Sequence, residues 1–509
     1  MIIDGQSITV ENLFKAATDY KTKFELDPRA RKKMDASREY IEGKLAKGEV
    51  MYGVNTGFGA FSSVRISDAE IETLQKNLIR SHSAGVGDFF SKWHSRAMMI
   101  LRANALATGH SGIRSVLVDK IIEFLNADII PCIPSQGSVG ASGDLAPLSH
   151  LALSLIGEGL AWSNDQVVPV TDLLAKKKIK PLELKAKEGL SLINGCQVMT
   201  AIGMLTLHQV SDLLKIADVS GALTLEALKG SRKAFDPLIS ATRPHAGEAK
   251  TARNLNRLLL ETSPIGESHL GCGRVQDAYS LRCMPAVHGA VKDTYHFVKK
   301  VLETEANSST DNPLVFPEEG KILSCGNFHG MPVAFSQDYV GIALSSLASI
   351  SECRIAKLIN PAMSDLPAFL IKDGGLQSGH MIVQVAAASL VSENKVLAHP
   401  ASVDTIPTSA DKEDHVSMGT IAARKGTQIL RNAQNVFAME LLSATQGLDL
   451  LAPLKTSEPL EAIKGFIRSE VPYAEKDRVF SYDINRIFEM IQSRRLITFI
   501  EDQVGELEV

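Results

Sequence analysis

Cysteine is scarce in this 509-residue chain, and the six present (Cys132, Cys196, Cys272, Cys283, Cys325 and Cys353) are widely scattered. They form no C-x-x-C pair and no zinc-ligand spacing. The expectation is reduced, mostly buried thiols in a cytoplasmic protein, none of them a nucleophile. Blocks of like charge are also missing. The net charge is -4 without a long run of either sign, so there is no electrostatic footprint for nucleic acid. No uninterrupted apolar run reaches membrane-spanning length. The first residues, Met1-Ile-Ile-Asp-Gly-Gln6, show neither a basic n-region nor an apolar h-region, so no signal peptide is visible. Standard catalytic signatures are missing as well. Gly109-His-Ser-Gly112 and Gly140-Ala-Ser-Gly143 both fail the G-x-S-x-G elbow. There is no Walker loop and no dinucleotide fingerprint. What remains is an ordinary globular composition, 45% hydrophobic and 22% charged, long enough for one large core or several domains.

The helical period dominates the second half. From Leu344, apolar residues recur at Leu347, Ile350, Ile355 and Leu358, with no Gly or Pro before Pro361. Thr200 to Leu228 predicts a long helix interrupted at Gly203 and Gly221. Leu376 to Leu397 and Thr427 to Leu442 predict others. Strand-like alternation is short, as in Gln166 to Val170. The expectation is a mainly α protein built on a bundle of long helices. A soft boundary near 200 separates a loop-rich part, 1–200, from the long-helix part, 201–509, within one continuous catalytic unit.

The most informative stretch is Gly137-Ser-Val-Gly-Ala-Ser-Gly-Asp-Leu-Ala-Pro-Leu148. In a tightly bent loop, the Gly143 nitrogen can attack the Ala141 carbonyl and close a five-membered ring with loss of water. Dehydration of Ser142 then leaves an exocyclic methylidene, an electrophile that no standard side chain supplies. Glycine permits the close approach, and serine carries the leaving hydroxyl. The tripeptide alone is weak, since it arises by chance in roughly one chain of this size in five. A plain loop with Asp144 as a helix cap, or an anion-binding nest, fits it equally.

Other segments hold candidate groups. Tyr52 opens the glycine-rich loop Tyr52-Gly-Val-Asn-Thr-Gly-Phe-Gly59 and suits a general base or acid on a closing loop. His82 falls at a helix end. Asn194 and Gln197 precede a long helix, where amides cap or hold a reacting backbone. Gln276, Tyr279 and Arg282 recur at three-residue spacing, so a helix would put them on one face. An arginine there can grip a carboxylate. Asn327, Phe328 and His329 sit in a glycine-bounded loop. Glu413, Asp414 and His415 cluster before a small-residue turn, without metal-ligand spacing. The better reading of Glu413 is a carboxylate aimed at a cationic or hydrogen-bonding substrate.

In order, these segments resemble the aromatic amino acid ammonia-lyases, together with Val275-Gln-Asp277, Thr310-Asp-Asn-Pro-Leu-Val-Phe316, Gly326-Asn-Phe-His-Gly330 and Ser392-Glu-Asn-Lys395. The resemblance implies the fumarase/aspartase-like long-helix fold, a 4-methylidene-imidazol-5-one (MIO) formed from Ala141, Ser142 and Gly143, no external cofactor and no metal. It implies a homotetramer with active sites shared between chains. It implies Tyr52 as the base for the β-proton and Arg282 as the carboxylate clamp. It places Asn194, Gln276, Tyr279 and Phe328 around ring and substrate. Ser81-His82 and Glu413-Asp-His-Val-Ser-Met418 are similar to the histidine-directed members. That implies elimination of ammonia from L-histidine to give trans-urocanate, with His82 and Glu413 as polar partners of the imidazole. A tyrosine or phenylalanine lyase or 2,3-aminomutase on the same fold is the alternative, and a catalytically silent binding homologue is another. Three positions depart from the family pattern. Lys412 replaces Gln, Ala278 replaces Pro, and His380 stands where Phe is expected, so Lys412 and His380 are expected to alter pocket charge.

Overall fold

Four helices exceed twenty residues among the described residues: Gln197–Ala227, Met284–Ala306, Met331–Leu358 and Gly419–Leu450. The structure is a computed structural model describing residues 1–57, 64–67 and 70–509. Phe58 and Gly59, the end of the expected Tyr52 loop, lie outside the described residues. The chain is mainly α-helical, as the periodicity predicts. The Gln197–Ala227 helix is buried along most of its length, with Val198, Ile202, Leu205 and Leu213 all buried and Asp218 and Thr224 buried beside them, and a helix of that kind belongs in a core.

Gly203 and Gly221 do not interrupt this helix. They are contact points instead. A β-carbon on Gly203 would lie 2.4 Å from the Gln337 amide nitrogen, and one on Gly221 would lie 2.3 Å from the Met284 sulfur. Both glycines are there for close packing, and the surrounding helix formers carry the helix through them. The expected Leu376–Leu397 helix begins later, at Met381, because the backbone turns at Gly374–Gln377.

The chain forms two compact units, each built from several segments. The first comprises Met1–His208, Lys299–Asp338 and Pro400–Arg424, and the second comprises Gln209–Val298, Tyr339–His399 and Lys425–Val509. The sequence boundary near 200 falls close to the end of the first segment, but the returning segments are invisible to a linear division. The described sheets are small and belong to the first unit. The largest is three-stranded and antiparallel, Ile130–Pro131, Leu160–Ser163 and Gln166–Pro169. No helix among the described residues is long and apolar enough to cross a membrane. All six cysteines are free, but only Cys132 and Cys196 are buried, and Cys272 and Cys353 are exposed. The expectation of mostly buried thiols is therefore corrected.

His380 also departs from expectation. It lies in the second unit, buried, with Nδ1 3.1 Å from Ser443 Oγ. The edge of Phe480 packs against its ring, and Nε2 has no hydrogen-bond partner. Burial, reinforced by the charges of Arg468 and Arg478, pushes the imidazole down to about 3. The ring thus stays neutral while an unfolded chain would protonate it near ~6.5. Its contribution to stability is full above that value and is lost as pH falls toward about 3. His380→Phe should remove this liability. At pH 5 the variant should gain about 2 kcal/mol on the wild type relative to pH 7, read as an acid-unfolding midpoint moved to lower pH. An unchanged midpoint would show that His380 does not set the acid limit.

Candidate active site

The loop after the strand Pro134–Gln136 turns through positive φ at Gly137, Gly140 and Gly143. Gly143 pairs with Gly195 as an isolated parallel bridge, and the Asp144 N–H donates to the Gly195 carbonyl at 2.8 Å. A β-carbon on Gly143 would lie 2.2 Å from that carbonyl oxygen, so only glycine fits there.

Asp144 begins the helix Leu145–Leu155, yet its side chain does not cap it, contrary to the cap reading. The buried carboxylate turns the other way. It accepts from the N–H groups of Val198 (3.0 Å) and Met199 (2.9 Å), capping the start of the Gln197–Ala227 helix instead. It also accepts from Ser138 Oγ at 2.9 Å and from Thr420 Oγ1. Burial pushes its pKa up, partly offset by Thr420, the Met199 N–H, Ser138 and the Val198 N–H. One carboxylate thereby fastens the tripeptide loop to two other segments.

Two side chains bear on Ser142 and its peptide. Asn194 donates from Nδ2 to the Ser142 carbonyl at 2.8 Å. The Ser142 hydroxyl donates to Glu413 Oε1 at 2.6 Å. Behind Asn194 lies Arg102, fully buried, whose Nη1 donates to the Asn194 carbonyl and to Gln197 Oε1, each at 2.8 Å. Burial brings this guanidinium down to about 10, with the Asp311 charge opposing. Asp311 is held by Lys187 at 2.7 Å and Ser191 at 2.8 Å. Arg102 and Lys187 carried no signal in the sequence, and Asp311 appeared only as part of the Thr310–Phe316 motif with no role of its own. Their partners come from distant segments.

These groups open on a cleft of about 1050 Å³. Tyr52, His82, Ala141, Ser142, Asn194, Phe328 and Glu413 line it, and so do His329, Lys412, Asp414 and His415. Leu74, Leu78, Leu145 and Leu190 form an apolar wall. His82 ends the helix Ile71–His82, with Nδ1 3.1 Å from Ser81 Oγ. Burial pushes its pKa down, while the Leu78 backbone and the Glu413 charge oppose. The ring is therefore neutral near pH 7 and can accept or donate one hydrogen bond.

Gln276, Tyr279 and Arg282 are not brought to this cleft. They belong to the second unit, and none lines the cleft. Their expected helical face also fails. The helix spans only Tyr279–Arg282, because Ala278 takes an extended conformation (φ -57°, ψ 150°) and leaves Gln276 outside. Tyr279 is 71% exposed, and the Arg282 guanidinium stacks over its ring at 4.5 Å. Of the two departures expected to alter pocket charge, Lys412 lines the cleft and His380 does not.

The sequence matches the family described as aromatic amino acid lyase over residues 8–469. It is 47% identical to a histidine ammonia-lyase of Caldanaerobacter subterraneus over 508 residues, covering 100% of this chain and 99% of that one. The crystal structure of histidine ammonia-lyase from Trypanosoma cruzi superimposes with a TM-score of 0.92 at 42% identity, over 99% of this chain and 96% of that one. The tyrosine aminomutase of Streptomyces globisporus superimposes with a TM-score of 0.94 at 36% identity, over the whole of both chains. Backbone shape alone thus does not separate the lyase from the mutase, whereas full-length sequence identity and the arrangement around Ser142 place the chain in one family. It belongs to the aromatic amino acid lyases.

Proposed function

We propose that this lyase eliminates ammonia from L-histidine to give trans-urocanate, using an MIO electrophile built from Ala141, Ser142 and Gly143. The observation that carries the reading is the convergence on Ser142. Its carbonyl accepts from Asn194, its hydroxyl meets Glu413, and the next residue is pressed against Gly195 where no β-carbon fits. The residues present fit the ring: a glycine nitrogen, a small alanine, and a serine whose hydroxyl points at a carboxylate. When formed, the ring supplies an electron-poor exocyclic carbon to which the substrate amine adds, making a better leaving group.

The side chains do the rest. Asn194 keeps its amide on the former Ser142 carbonyl and holds negative charge there. His82 and Glu413 face one cleft and suit an imidazole, which needs a polar partner on each nitrogen. A phenyl ring would leave them unpaired at ~1–3 kcal/mol each. Phe328 and the leucine wall exclude water from the reacting carbon. Tyr52 takes the β-proton. Tyr52→Phe should keep substrate binding while kcat falls ~10²–10⁴-fold; steady-state kinetics with wild-type kcat would remove Tyr52 as the base.

Gln276, Tyr279 and Arg282 enter the cleft of a neighbouring copy in a homotetramer, where Arg282 holds the substrate carboxylate. The exposure of Tyr279 and Val275 supports this, as do exposed Ile342, Ile382, Val385 and Val396 on two helices of the second unit. The six free thiols are in keeping with a cytoplasmic location. The test is incubation with L-histidine, L-tyrosine and L-phenylalanine with product identification. Urocanate from L-histidine is expected, and turnover of tyrosine alone would overturn the substrate. Intact mass tests the electrophile, since ring closure and dehydration together remove two waters.

A further inference from the structure

The segment that presents Glu413 has an unusual backbone. Thr408 and Glu413 pair as an isolated antiparallel bridge, with Thr408 N–H to Glu413 O at 2.9 Å and Glu413 N–H to Thr408 O at 3.3 Å. Between them Ser409, Ala410 and Asp411 take φ of +53°, +53° and +62° in succession. None is glycine, so each holds a conformation that L side chains rarely adopt. Such a run persists only where its surroundings over-determine it, and such runs cluster at functional sites.

The turn brings two hydroxyls onto one oxygen. Thr408 Oγ1 and Ser409 Oγ both donate to Glu413 Oε2, each at 2.9 Å. The other oxygen, Oε1, accepts from the Ser142 hydroxyl. We propose that Thr408 and Ser409 are positioning residues that hold one oxygen of the Glu413 carboxylate and so aim the other at the reacting centre. This rests on the reading of Glu413 as the carboxylate that receives the substrate ring. Ser142 gives up its hydroxyl as the electrophile forms. Oε2 is then still held by two protein donors, and Oε1 faces the cleft for a ring N–H.

The arrangement matters because the last torsion of a glutamate is broad and two-fold, and the adjacent Lys412 lines the same cleft. A carboxylate without its two hydroxyls can turn toward that cation. Lys412 is thus a competitor for a carboxylate that has lost its two hydroxyl partners.

The test compares Thr408→Val, which keeps shape and loses the hydroxyl, with Thr408→Ser, which keeps the hydroxyl, and with the double variant Thr408→Val/Ser409→Ala. Each is made in the wild type and in a Glu413→Ala background. The readouts are kcat and KM for L-histidine, intact mass and thermal midpoint. The double variant is expected to lose about 10²-fold in kcat/KM, the size of a misplaced catalytic group, with the two-water mass loss and midpoint retained. Thr408→Ser should be nearly as active as wild type, and Thr408→Val should cost nothing further once Glu413 is gone. Wild-type turnover by the double variant would overturn the proposal. So would Thr408→Ser failing as badly as Thr408→Val, or a Thr408→Val loss that persists without Glu413. A wild-type enzyme inert on L-histidine would instead sink the substrate reading, and the proposal with it.

Discussion

Ser142→Ala should leave a folded protein that turns over L-histidine at least ~10³-fold more slowly, because only binding and orientation would remain. Ser142 is partly buried and its side chain makes one hydrogen bond, to Glu413. The mature wild type gives up that bond too when the electrophile forms, so stability should barely move. The chemistry should move greatly. Alanine has no β-hydroxyl to expel, so no methylidene can form whether or not the ring closes. Intact mass should show at most one water lost, that of ring closure, while circular dichroism and thermal midpoint match the wild type. Full turnover in this variant would remove the electrophile from the mechanism. Loss of turnover together with loss of fold would instead make Ser142 a structural residue.

Asp144→Ala should be the most destabilising single change near the site. It strips the acceptor from the N–H groups of Val198 and Met199 and from the hydroxyls of Ser138 and Thr420. Each buried donor left unpaired costs ~1–3 kcal/mol. Relaxation makes such costs non-additive, and a total of about 3–5 kcal/mol matches other broken buried charge networks. Because the same carboxylate ties the tripeptide loop to the Gln197–Ala227 helix, a fraction of the chains should also keep the unmodified mass. Denaturant unfolding and mass spectrometry of one preparation test both halves. A variant with wild-type stability and both waters lost would show that other contacts hold the loop.

The parts legible from sequence were those set by local pattern. The long helices announced themselves through the apolar period, and the glycines around Ser142 marked a backbone under constraint. Tyr52, His82, Asn194, Phe328 and Glu413 sit in local motifs, and all line the cleft with Ser142. Spacing failed at Gln276, because a three-residue recurrence implies one face only if the backbone is helical, and Ala278 is extended. Gly203 and Gly221 misled because propensity sees the missing side chain and not the Gln337 or Met284 packed against it. Asp144 reads from sequence as a cap of the nearer helix, since the backbone N–H groups it actually caps lie more than fifty residues away. Arg102 and the pairing of Lys187 with Asp311 were illegible for the same reason, as a buried charge is explained by partners that only the fold assembles.

The contact between Gly143 and Gly195 sets an order of events. The tripeptide is bent against the carbonyl of Gly195, fifty-two positions after Gly143, and the Gly195 α-carbon is itself crowded by Arg102, Gln197 and Thr310. A nascent chain that has not yet placed Gly195 there has nothing to press the loop into shape. If the tripeptide closes as proposed, ring closure follows folding of the first unit, and no electrophile exists before the pocket that restrains it. On this reading, the two missing waters act as a timestamp that each molecule carries of having folded.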